Sequence, residues 1–145
     1  MVGSSASIAE PNTALNTIVA EILSRIASRL EKAKDIDSEA QNIVTEIVKK
    51  HKRIIFNGNN YSEDWLKEAE KRGLPNIRST VAAIPTLISE KTVKVYEKHG
   101  VLSKAEMHSR YEIFLEAYIK TINIEALTML DMAKRQILPA SLEYA

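Results

Sequence analysis

The sequence predicts an all-α protein: an antiparallel helical bundle with a long N-terminal and a long C-terminal helix, short helices between them and an extended N-terminal lead-in. Three observations carry this. Only four Gly and four Pro interrupt 145 residues, and most stand where a helix has to begin or end. Apolar residues recur every three or four positions over two long stretches. Residues suited to capping a helix precede those stretches.

Met1 to Glu10, rich in Ser and Ala and closed by Pro11, reads as extended. Asn12 is a good N-cap, and Leu15, Ile18, Val19, Ile22, Ile26, Leu30 and Ala33 then mark an amphipathic helix from about Thr13 to Lys34. Glu21 and Arg25 form a favourable i,i+4 pair off that stripe. Asp35 to Asp37 break the pattern. Ser38, with Gln41 three residues on, forms a capping box for a second helix carrying Ile43, Val44, Ile47 and Val48.

That helix ends in Lys49, Lys50, His51, Lys52 and Arg53. Cations suit a helix C-terminus, where exposed carbonyls are negative, so the run reads as a helix end before it reads as a nucleic-acid patch. Ile54 to Phe56 lead into the turn residues Asn57, Gly58, Asn59 and Asn60, which fit a loop better than a two-strand hairpin without a partner strand. Ser62 caps a short helix with Trp65, Leu66 and Ala69, stopped at Gly73 and Pro75. Leu74 to Ile88 holds two prolines and reads as irregular, with one helical turn at most around Val81 to Ile84. Ser89 caps another short helix with Val93, Val95 and Tyr96, ended by Gly100.

The last element has the strongest local signal. Ser103 and Glu106 form a capping box, and the apolar series Tyr111, Leu115, Tyr118, Ile122, Ala126, Met129, Ala133 and Ile137 runs to Pro139. At 1.5 Å per residue such a helix is about 50 Å long, more than a compact domain of this size is wide. It is expected to pack along the first helix and reach towards a neighbouring subunit. Phe114, Ile119, Ile124, Leu127 and Leu130 widen its apolar surface beyond one stripe, the mark of a helix with more than one partner.

Composition narrows the function classes. A net charge of +1 gives no field that favours nucleic acid or an anionic membrane, and the absence of Cys excludes disulfide scaffolds, thiol catalysis and thiolate metal sites. No stretch approaches the roughly 18 apolar residues of a membrane span, and Met1 to Asn12 lacks the charge and apolar block of a secretory signal. A cytoplasmic protein without nucleic-acid or membrane partners is the expectation.

Catalytic patterns are missing as well. Gly3, Gly58, Gly73 and Gly100 are too scattered to form a phosphate-cradling loop. His51, His99 and His108 lack the spacing of a metal pair; His108 and Glu112 share a helix face but fit a surface hydrogen bond better than an acid/base pair. Glu63 and Asp64 sit where a helix dipole favours negative charge. Glu116 pairs with Lys120 and Asp131 with Arg135. Tyr111, Phe114 and Tyr118 read as core or interface. From the residues alone the chain is a helical assembly or interaction module with no active site.

Four ordered strings resemble the carboxy-terminal part of type III glutamine synthetases. They are Met1 to Glu21; Lys50-His-Lys-Arg-Ile-Ile-Phe-Asn-Gly-Asn-Asn-Tyr-Ser62; Glu68-Ala-Glu-Lys-Arg-Gly-Leu-Pro75; and His108-Ser-Arg-Tyr-Glu-Ile113 with Lys120-Thr-Ile-Asn-Ile-Glu-Ala-Leu-Thr-Met129. The likeness runs almost end to end. It implies a parent ligase of nitrogen metabolism and glutamine biosynthesis that joins ammonia to glutamate through γ-glutamyl phosphate, with ATP and Mg²⁺ or Mn²⁺ bound in a catalytic domain. None of that domain's catalytic, cofactor-binding or metal-binding motifs matches here, so no such residue is carried over.

The resemblance further implies that residues 1–12 are the extended tail end of the catalytic domain and that residues 13–145 are a C-terminal helical domain, and Met1 need not be a natural start. Met1 to Glu10 is then expected to be loose, or borrowed by a neighbouring copy, when the catalytic fold is absent. The expected partners are the catalytic domain and neighbouring subunits of a homo-oligomer; a stand-alone helical adaptor or regulator is the alternative.

Overall fold

A computed structural model describes residues 7–144, and among them every regular element is helical. The lead-in expectation therefore lies outside the described residues for Met1 to Ala6. From Ala9 onward it is corrected, because helix α1 spans Ala9–Leu30 and absorbs Pro11 in its first turn. Pro is tolerated there because the first amides of a helix have no intrahelical acceptor to lose.

The described residues fall into two compact units, one made of the residues up to Arg78 together with Lys94–Val101, the other of Ser79–Val93 together with the residues from Leu102 onward. Gly73, at φ +66°, and Pro75 stop the chain's helical course before the second unit begins at Ser79. The long helices α1 and α6 belong to different units.

In the first unit, α1 and α2 (Ile36–His51) form a helical hairpin. The helix start predicted at Ser38 is corrected to Asp35, whose carboxylate accepts from the amides of Asp37 and Ser38. Asp caps as well as Ser and comes first, and Ile36 is free to enter the helix behind it. Arg29 near the end of α1 reaches Glu39 and Glu46 of α2 at 2.7 and 2.5 Å. Ile43 is the buried apolar residue of α2.

A 3₁₀ turn at Lys52–Ile54 follows, then a loop in place of any hairpin, then α3 (Glu63–Lys71) capped by Ser62. Gly58 is required in that loop: a Cβ on it would stand 2.6 Å from the Phe56 ring. At the end of α3 the amides of Gly73 and Leu74 return to the carbonyls of Glu70 and Ala69.

In the second unit, α4 (Thr80–Ala83), capped by Ser79, passes directly into a 3₁₀ turn at Ile84–Ile88. Two helical elements thus stand where one turn at most was expected, because Pro85 enters near the start of the 3₁₀ turn, where its missing N–H costs nothing. The turn packs on α6 (Lys104–Met132), whose Ser103–Glu106 capping box forms in both directions. Helix α5 (Glu90–Lys98) is divided between the units. It ends at Gly100, φ +62°, with Val101 and Gly100 donating to the carbonyls of Tyr96 and Glu97.

The predicted stop at Pro139 is also corrected. After Met132 the ladder widens into a π-helical turn at Ala133–Ile137, and α7 continues over Leu138–Tyr144. Pro139 offers no N–H, and its ring crowds the preceding turn of a regular α-helix; the wider turn gives it room.

Candidate interaction surface

Charge and burial on α1 reverse the pattern the sequence implies. The apolar stripe of Leu15, Ile18, Val19 and Ile22 is exposed, while Thr17 and Glu21 are 3% and 8% exposed. Thr17 satisfies its hydroxyl on the carbonyl of Thr13. Glu21 accepts from Lys98 at 2.6 Å, from His99 Nε2 at 2.8 Å and from Arg25 at 2.5 Å. Those donors, Lys98 first, hold the Glu21 carboxyl far below the usual carboxylate range, at about 2. Sequence spacing found the Arg25 pair; Lys98 and His99, more than seventy residues away, carry no local signal of this contact.

The other candidate residues stay apart. Glu116 pairs with Lys120 at 2.6 Å and Asp131 with Arg135 at 2.8 Å, all on the surface. His51 and His108 are exposed, and Glu63 and Asp64 lie in the first turn of α3. Tyr111, Phe114 and Tyr118 are half-buried. No group of three or more His, Asp and Glu converges among the described residues. Gly73 and Gly100 end helices, and Gly58 packs on Phe56, so none of them shapes a phosphate loop. No chemical step is assigned to these residues. No described helix is long and apolar enough to cross a membrane.

What remains is the second half of α6, where every residue from Thr121 to Met132 is exposed. Six of these twelve are Ile122, Ile124, Leu127, Met129, Leu130 and Met132. At about 100° per residue they fall no more than about 80° apart around the whole circumference. A soluble helix normally confines such residues to one face; one that is apolar all round is a helix that is covered in its working state.

The family described as glutamine synthetase C-terminal domain matches residues 39–145. The chain belongs to that family. It is 39% identical over 142 residues to the type-3 glutamine synthetase of Dictyostelium discoideum, which covers 96% of this chain and 19% of that protein. It is 38% identical over 110 residues to a glutamine synthetase of Butyrivibrio fibrisolvens, 76% of this chain and 16% of the relative. The likeness to a Bacteroides fragilis (strain YCH46) glutamine synthetase is 28% over 146 residues, 98% of this chain and 20% of the relative. The chain thus spans a fifth or less of the length of these relatives, and the resemblance read from the ordered strings is to the correct family.

Proposed function

We propose that this chain is the non-catalytic C-terminal helical region of a type III glutamine synthetase and that it contributes to subunit assembly. The observation that carries the reading is the second half of α6, exposed and apolar around its circumference. Burying such side chains is worth about 1.5 to 3 kcal/mol each, enough for a few of them to hold a subunit contact. On this reading the parent protein is cytoplasmic, ligates ammonia to glutamate with ATP, and binds ATP and Mg²⁺ or Mn²⁺ outside this chain.

Light scattering on the purified 145-residue chain and on the full-length protein tests the assembly role, and an assay of γ-glutamyl transfer with ATP and Mg²⁺ or Mn²⁺ tests the absence of chemistry. The expected results are a homo-oligomer for the full-length protein, weakened when α6 is altered, and no turnover by the chain alone. Genuine turnover by the chain, or an oligomer indifferent to α6, contradicts the proposal.

A further inference from the structure

A second surface, wholly within the first unit, has different chemistry. The end of α2, the Lys52–Ile54 turn and the loop after it enclose an open cleft of about 770 Å³. Val48 and Ile55 provide its aliphatic surface, and Asn57 and four cations, Lys49, Lys52, Arg53 and Arg72, complete the lining without a carboxylate.

The cations at a helix C-terminus are ordinarily explained by its carbonyls, which amount to about half a negative charge. Arg72 serves the carbonyls just beyond that end. Its guanidinium donates to the carbonyls of Ile55 at 2.8 Å and Arg53 at 3.3 Å, and it is neutralised by Glu68. It also lies 5.9 Å from the ring centroids of both Phe56 and Trp65, which fixes its position. Lys49, Lys52 and Arg53 remain, exposed and without an ion-paired carboxylate among the described residues. Three like charges around one opening repel each other, and a bound anion relieves that.

We propose that this cleft binds an acidic peptide segment with interspersed aliphatic side chains. The charge is complementary, and the aliphatic surface has no use for a purely inorganic anion. Phe56 and Trp65 stack on each other at 4.4 Å, so a base-stacking platform is not on offer either. The proposal is independent of the α6 reading, since no residue of α6 lines the cleft.

The test is fluorescence anisotropy of the 145-residue chain with a labelled peptide of glutamate pairs separated by leucine. Saturable binding is expected, weakened at least about tenfold by Lys49→Glu with Lys52→Glu and less by the milder Lys52→Gln, while Lys32→Glu with Lys34→Glu, the same change in net charge, leaves it intact. Far-UV circular dichroism confirms that each variant folds. Raising the salt is expected to weaken binding, because the charges are exposed. Absence of saturable binding, equal binding by the Lys49/Lys52 variant, tighter binding of tripolyphosphate or single-stranded DNA at matched charge, or equal affinity for a lysine version of the peptide overturns the proposal.

Discussion

Glu21 on α1 is a charged side chain 8% exposed with three nitrogen donors around it, whereas Leu127 on α6 is an aliphatic side chain 67% exposed. The Glu21 carboxylate meets its physical needs within the chain: a carboxylate removed from water is stable only when its lone pairs are occupied, and Lys98, His99 and Arg25 occupy them. The second does not, because the residues that would cover Ile122 to Met132 are not among those described. A buried charge satisfied from within the chain serves the fold; a full circumference of uncovered aliphatic groups is what the proposed subunit contact would use.

The largest effect should come from the uncovered region. Leu127→Asp with Leu130→Asp in the full-length protein is expected to weaken association by roughly a hundredfold or more, from about 3 kcal/mol of lost burial, and to leave the thermal midpoint of the isolated chain nearly unchanged. Sedimentation and calorimetry read the two effects separately. A stability loss in the isolated chain with association intact would erase the contrast.

Next comes Met107, fully buried at 0% in the second unit. Met107→Ala should cost the isolated chain about 2 to 5 kcal/mol in urea unfolding, because the cavity cannot fill completely. Little change would mean that this unit lacks a packed centre.

Glu21 sharpens the comparison through pH. Its carboxyl is depressed in the folded state, so its contribution to stability is complete at neutral pH and is lost as pH falls from the ordinary glutamate range of about 4.3 towards about 2. Glu21→Gln should lower the urea midpoint at neutral pH and flatten its fall over that acid window. An unchanged acid profile would show that the cluster does not stabilise the fold. Gly100→Ala is smaller, about 1 kcal/mol, since nothing crowds a Cβ there and only the positive φ is strained. Glu116→Gln, on an exposed pair, should be undetectable in the same denaturation series.

Much of this was legible in the residues. Capping side chains at Ser62, Ser89 and Ser103 and stops at Gly73 and Gly100 act through neighbours a few positions away, which is the range over which sequence patterns report. The widened apolar surface of α6 was visible for the same reason. The inward turn of Glu21 was not, because its partners come from α5 and the residue after it. Nor was the π-helical passage before Pro139, where backbone widening overrides a residue that usually ends helices. Periodicity also identified the apolar stripe of α1 correctly but not which side of the helix is buried, since a pattern shows that a face is apolar and not what meets it.

Hydrogen–deuterium exchange along α6, measured in the full-length protein and in the 145-residue chain, tests the proposed subunit contact without any substitution. Amides from Thr121 to Met132 should exchange at least about tenfold more slowly in the assembly than in the chain alone, with Tyr111 to Tyr118 changing less. Equal exchange of the 121–132 segment in both would mean that nothing covers this helix and that assembly lies elsewhere.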